Sequence, residues 1–135
     1  MNRTNIEFVN HASVLISHGE INILSDPWYS GAVFHQGWRL LYENSGDKIN
    51  DILKKTTHIY ISHEHPDHFN TNFFLDKNTK DIINDKNIEI LFQKTKDRRV
   101  ISFLEKNGFN VRVLSSNEKV NLNKNVEIQI IKHDF

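Results

Sequence analysis

Residues 63–68 read His63-Glu64-His65-Pro66-Asp67-His68, four potential metal ligands within six positions, directly after the β-branched and aromatic run Thr57–Ser62. Side chains two apart on extended backbone point the same way, so His63 and His65 are placed to converge on one cation through neutral imidazole nitrogens. Pro66 bends the chain and turns Asp67 and His68 towards a second position beside the first. That arrangement suits two ions about 3.5–4 Å apart. Imidazole and carboxylate donors without thiolate suit two divalent metal ions, with zinc the first expectation and manganese, iron, nickel or copper also compatible. Such an ion lowers the pKa of bound water from about 15.7 towards about 7 and polarises a substrate oxygen. The chemistry indicated is hydrolysis by a metal-bound hydroxide, with Asp67 also placed to orient that hydroxide as a catalytic residue.

The elements that must position these groups follow from patterning. Ile6–Val9, Ser13–Ser17 and Ile21–Leu24 read as a meander of strands, with His18-Gly19-Glu20 as a turn. The meander ends at Ser25-Asp26-Pro27-Trp28, where proline fixes its own φ and biases Asp26 towards an extended conformation. A long aromatic loop is expected to about Asp47, carrying Trp28, Tyr29, Phe34, Trp38 and Tyr42. Lys48–Lys55 has helical spacing and Thr57–Ser62 is a buried strand. Ile88–Phe92 is a further strand; Thr95 is the expected cap of a helix burying Val100, Ile101, Phe103 and Leu104, stopped at Gly108. Asn110–Leu114 and Val126–Ile131 complete the strands around a turn at 115–118. The fold class is α/β (α+β), in one domain spanning 1–135.

Composition narrows the partners. The chain has 135 residues, 38% of them hydrophobic and 25% charged, and a formal net charge of zero. Those figures describe one globular domain and remove the basic footprint of a nucleic-acid binder. No cysteine is present, which excludes disulfides, thiolate zinc sites and a cysteine nucleophile. No run is long enough for a transmembrane helix and the first twenty residues lack a signal-peptide pattern, so a cytoplasmic location is expected.

The segment His63, His65, Asp67 and His68 after an apolar strand resembles the H-x-H-x-D-H signature of the metallo-β-lactamase superfamily. Asn10-His11-Ala12-Ser13 with Ile23-Leu24-Ser25-Asp26-Pro27-Trp28 is similar to its N-acyl-phosphatidylethanolamine phospholipase D-like and ascorbate-6-phosphate lactonase-like hydrolases. Gly37-Trp38 and Tyr60–Phe69 look like the hydrolase-like domain of CMP-N-acetylneuraminate hydroxylases. The resemblance implies an αββα sandwich, of which this chain covers the first half. It implies His63 and His65 on metal one, Asp67 and His68 on metal two, and His133 as a further ligand of metal one. Asp26 would support the ligands from behind. His11 shares that supporting place at the site mouth, or else hydrogen-bonds backbone. Those hydroxylases also carry a Rieske cluster, for which this cysteine-free chain has no ligands, so oxygenase chemistry is not expected of it.

The remaining residues divide more plainly. His58 reads as structural, and His18 and His35 as exposed. The aromatics at 28, 29, 34 and 38 read as core first and as a substrate wall second. Two functional expectations follow: a metal-dependent hydrolase of a phosphodiester, ester or lactone, its substrate a small molecule or lipid-like; or a non-catalytic half-domain completed by a missing half, a partner chain or a homo-oligomer. Half a sandwich leaves an apolar sheet face uncovered, which favours association.

Overall fold

The structure is a computed structural model that describes residues 3–131. Three strands open the chain, β1 (Thr4–Asn10), β2 (Ser13–His18) and β3 (Ile21–Ser25), followed by α1 (Gly46–Lys55) and β4 (His58–Ile61). Then come α2 (Thr71–Leu75), α3 (Lys77–Asp85), β5 (Glu89–Gln93), α4 (Arg99–Lys106) and β6 (Asn110–Leu114). A hairpin of β7 (Lys119–Asn121) and β8 (Glu127–Gln129) completes the described residues. The first six strands form one sheet in sequence order. β1, β2 and β3 pair antiparallel, whereas β3, β4, β5 and β6 run parallel.

Alternation of side chains sorts the sheet into two faces. Leu15, Leu24, Ile59 and Ile90 lie in register across one face and are sealed by Ile52 and Leu53 of α1, Ile83 of α3, and Val100, Ile101 and Leu104 of α4. An aromatic knot of Phe69, Phe73, Phe74 and Phe109 closes this core, its ring centroids 5.1–5.7 Å from Phe74. On the other face Ile6, Ile16 and Ile23 lie in register, and Ile6 and Phe8 are 65% and 62% exposed. There the β7–β8 hairpin covers only part of the sheet, over a groove of about 290 Å³ lined by Ile16, Ile23, Tyr60, Leu91, Leu114 and Ile128. The expected α/β layering, helices against one face of a mixed sheet, is what the chain adopts.

Several local expectations need correction. Val126–Ile131 contributes only Glu127–Gln129 to strand structure, in a separate two-stranded sheet. The Asn123 side chain accepts from Asn125 N and Val126 N, each at 2.8 Å, and folds the segment back onto β7. Patterning predicts no element over residues 69–87, where α2 and α3 form, capped by Asn70 Oδ1 accepting from Phe73 N and by Asp76 Oδ2 accepting from Thr79 N. α4 starts at Arg99, not at a Thr95 cap, because Asp97 Oδ1 accepts from Arg99 N at 2.8 Å while the Thr95 hydroxyl donates to the Asp97 carbonyl. Phe103 is only partly buried. Gly108, at φ +83°, terminates α4 as expected. Asp26 is not extended but sits at φ +36°. His133 lies outside the described residues. No helix among the described residues is long and apolar enough to cross a membrane.

Two measurements test this packing. Phe74→Ala removes a fully buried ring from the aromatic knot and is expected to cost about 3–5 kcal/mol in urea unfolding; a loss below 1 kcal/mol would contradict the core described. His58 is held below its ordinary pKa of 6.5 by burial, partly offset by Glu89. The unfolded chain therefore binds this proton more readily than the folded one, so stability falls as pH drops through about 6.5 and levels off below the folded-state value. His58→Gln should flatten that part of the curve between pH 8 and 5 relative to the unsubstituted chain.

Candidate metal centre

Because β3, β4 and β5 are parallel, their C-terminal ends share one edge of the sheet, the edge where open α/β sheets place ligands. Asp26 follows β3, Ser62 and His63 follow β4, and Gln93 ends β5. The antiparallel pairing of β1 and β2 brings the β1–β2 turn, with His11, to the same edge. The predicted histidine-rich loop therefore emerges where several strand ends can support it.

Asp26 is 6% exposed, and its backbone N–H donates to Tyr60 O at 2.9 Å. Its Oδ1 accepts from Ser62 N at 2.7 Å, and its Oδ2 accepts from the Ser62 hydroxyl at 2.7 Å and from His68 Nδ1 at 2.9 Å. A carboxylate only accepts, so the neutral His68 ring carries its proton on Nδ1 and a lone pair on Nε2. The Ser62 hydroxyl uses its single hydrogen to donate to Asp26. Its oxygen therefore accepts from His63 Nδ1, 2.9 Å away, and His63 likewise presents Nε2 as a lone pair. Gln93 Nε2 donates to Ser62 O at 3.1 Å and fixes the same residue from β5. A ligating histidine with its other ring N–H tied to a carboxylate or hydroxyl is the arrangement that metal sites use to set tautomer and orientation.

Asp67 is 5% exposed. Its Oδ2 lies 3.0 Å from His11 Nε2 and 3.3 Å from His68 Nε2, while its Oδ1 is buried with no hydrogen-bond partner. Two lone-pair atoms at 3.3 Å repel unless a cation or proton lies between them, and a buried carboxylate oxygen without a partner carries its own desolvation cost. The donor set thus fits a divalent ion. Burial raises the Asp67 pKa, but the His11 hydrogen bond and the neighbouring His68 imidazole outweigh it and leave the carboxyl below its ordinary value. His63 is also lowered, by burial first and then by its neighbours His68 and His65, which favours the neutral, ligating form.

Among the described residues, the donor atoms lying within 4.8 Å of one another belong to His11, Asp67 and His68. His63 stands beside them, its ring centroid 4.1 Å from His68 and 4.6 Å from the more exposed His65. Glu64 turns outward towards Arg99, 3.6 Å away. The loop aromatics divide: Trp28 and Tyr29 are buried, whereas Phe34 and Trp38 are 38% and 52% exposed. These two rings touch edge-on at 5.0 Å and rim the site, Phe34 6.1 Å from His65 and Trp38 6.4 Å from His11. They sit on a turn with Phe34, His35 and Gln36 all at positive φ, closed by the Val33–Trp38 bridge. Ser62 is the supporting residue that the sequence reading did not single out. Its position directly before His63 was the available signal.

A mixed sheet with helices on one face and a His/Asp loop at a parallel strand end defines the metallo-β-lactamase-like fold class. The chain belongs to that superfamily: residues 5–134 match the family described as "Beta-lactamase superfamily domain". Curated relatives are cytidine monophosphate-N-acetylneuraminic acid hydroxylases, 33% identical over 108 residues in Danio rerio and 29% identical over 130 residues in Asterias rubens. These alignments cover 78% and 93% of this chain but 17% and 19% of the relatives' own length. Two solved structures share the fold at 22% identity: a point mutant of the CmlA beta-hydroxylase (TM-score 0.60) and a "possible metal-dependent hydrolase" from Veillonella parvula DSM 2008 (TM-score 0.58). The chain covers 22% and 45% of those two chains, which in turn match 87% and 91% of it.

Asp26→Ala would leave the Ser62 N–H, the Ser62 hydroxyl and His68 Nδ1 without their common acceptor. The expected cost is about 1–3 kcal/mol in denaturant unfolding. A change within 0.5 kcal/mol, the range of ordinary surface substitutions, would show that the network carries no weight.

Proposed function

We propose that the chain provides the metal-binding half of a metal-dependent hydrolase acting on a phosphodiester, ester or lactone. The observation that carries this reading is Asp67, whose Oδ1 is buried without a partner and whose Oδ2 faces the His68 Nε2 lone pair at 3.3 Å. Two divalent ions are proposed, zinc first, with manganese or iron the alternatives. His63 and His65 would hold one and Asp67 and His68 the other; His133 would be a further ligand of the first. When bound, such ions activate water at neutral pH and polarise a substrate oxygen.

This chain's own contributions are positional. Asp26 and Ser62 hold the His63 and His68 tautomers so that both Nε2 atoms stay free, and Asp67 offers a carboxylate able to orient a water molecule. The Phe34–Trp38 rim supports an apolar or planar portion of a small-molecule or lipid-like substrate, and zero net charge argues against nucleic acid. A cytoplasmic setting accompanies this reading. A second reading, a half-domain completed by a partner chain or another copy, is favoured by Ile6 and Phe8 exposed on the uncovered sheet face. Light scattering during size-exclusion chromatography would then report an assembly; a monodisperse monomer would count against it.

Elemental analysis of untagged protein is the direct test: near two ions per chain, lost in the His63→Ala, His65→Ala variant, supports the reading, and a metal-free chain refutes it. With a substrate found by a phosphodiesterase, esterase and lactonase panel, Trp38→Ala is expected to raise KM about 2–10-fold at unchanged kcat, as removal of uniform binding does. An unchanged KM would exclude the rim from substrate contact.

A further inference from the structure

His11 is positioned with more structure than a residue at a site mouth requires. It forms the β1–β2 turn at φ +42°, in the left-handed region that few non-glycine residues adopt and where Asn, Asp and His are enriched. The turn is anchored on one side by Asn10, which is 4% exposed and whose Nδ2 donates to Tyr42 O at 3.0 Å and to Asn44 Oδ1 at 2.8 Å. On the other side, Ser13 is fully buried and its hydroxyl is 2.7 Å from the Tyr29 hydroxyl. The His11 ring stands edge-on to the buried Trp28 at 5.0 Å. Its Nε2 meets Asp67 Oδ2 at 3.0 Å.

Proton placement separates His11 from the other histidines. A carboxylate offers lone pairs only, so a direct His11–Asp67 hydrogen bond requires the hydrogen on His11 Nε2. The nitrogen that faces the site is then a donor. In His63 and His68 the site-facing Nε2 is a lone pair, because Nδ1 is held by Ser62 and by Asp26. We propose that His11 is a positioning residue rather than a ligand: its Nε2–H donates to Asp67 Oδ2 and so fixes the rotation of the carboxylate against the His68 Nε2 lone pair. This inference rests on the metallohydrolase reading and deepens it, assigning Asp67 the support that orients it.

The test uses the full chain and zinc, with affinity measured by competition against a chromophoric chelator. His11→Ala is expected to weaken binding by about 10–100-fold, the usual effect of removing a support to a ligand. His11→Gln returns an amide N–H to the same reach and should recover most of that affinity. Far-UV circular dichroism and urea midpoints confirm that both variants are folded. A second readout is scalar coupling in 15N-histidine-labelled protein loaded with 113Cd: coupling is expected at His68 Nε2 and none at His11. Unchanged zinc affinity in His11→Ala, no recovery in His11→Gln, or cadmium coupling at His11 would each overturn the clamp while leaving the metallohydrolase reading intact. An unsubstituted chain that takes up no metal overturns both.

Discussion

The Asp26 carboxylate accepts hydrogen bonds from the Ser62 backbone, the Ser62 hydroxyl and the His68 ring, and the orientation of the histidine loop follows from those contacts. One buried anion fixes His68 directly and His63 through Ser62, so the neighbouring imidazoles are oriented from a single point. It also joins two strands, since Asp26 leaves β3 and Ser62 leaves β4. The register Ser25↔Tyr60 places them side by side. The positive φ of Asp26 turns its side chain across the strand end rather than along it. Local backbone strain of that kind persists only where surrounding contacts over-determine it, and here four hydrogen bonds to Asp26, one of them from its own N–H, do so.

The rest of the molecule holds that strand end still. Parallel pairing through β3, β4, β5 and β6 requires a crossover at each step, and the helices of those crossovers supply the apolar cover for one face. Ile59 and Ile61 of β4 are fully buried against it, so the strand that launches the histidine loop has no freedom to rotate or slip register. Phe69, immediately after His68, inserts into the Phe74 and Phe103 rings and ties the far end of the loop to the same core. Within the loop, His68 N and Phe69 N both donate to His65 O, a tight turn that reverses direction after Pro66. The bend expected from proline is thus made by backbone hydrogen bonds, and core packing on both sides positions it.

Legibility in the sequence tracked how local each determinant is. The histidine loop, its preceding strand, the meander and α1 are written in contiguous residue types, and they appear close to where patterning puts them. Helices α2 and α3 are also local, with Asn70 and Asp76 as caps, but their short amphipathic stretches lie among asparagines and lysines that mask the period. The supporting contacts were illegible for a different reason. The partners of Asp26 are 36 and 42 residues away, and His11 meets Asp67 across 56. Only the fold creates those distances, and no spacing rule reports them. The same holds for the aromatic loop: the buried pair Trp28 and Tyr29 and the exposed pair Phe34 and Trp38 differ in fate, not in type.

This geometry also bears on energetics. The described arrangement keeps Asp67 Oδ1 without a partner and opposes two lone pairs at 3.3 Å, a local cost in an otherwise well-satisfied core. That cost is sustained by interactions remote from the loop, chiefly the helix-covered face and the aromatic knot. An ion binding there would relieve it only in the folded state, since Asp67 and His68 are held by groups from the β1–β2 turn and from the ends of β3 and β4. Metal affinity and fold stability are then one linked quantity. Weakening Asp26, Ser62 or the β1–β2 turn would lower both together, whereas weakening the uncovered face at Ile6 and Phe8 would leave the donor geometry in place. The edge of the sheet, which carries the donor groups, and its open face are thus separable parts of the molecule.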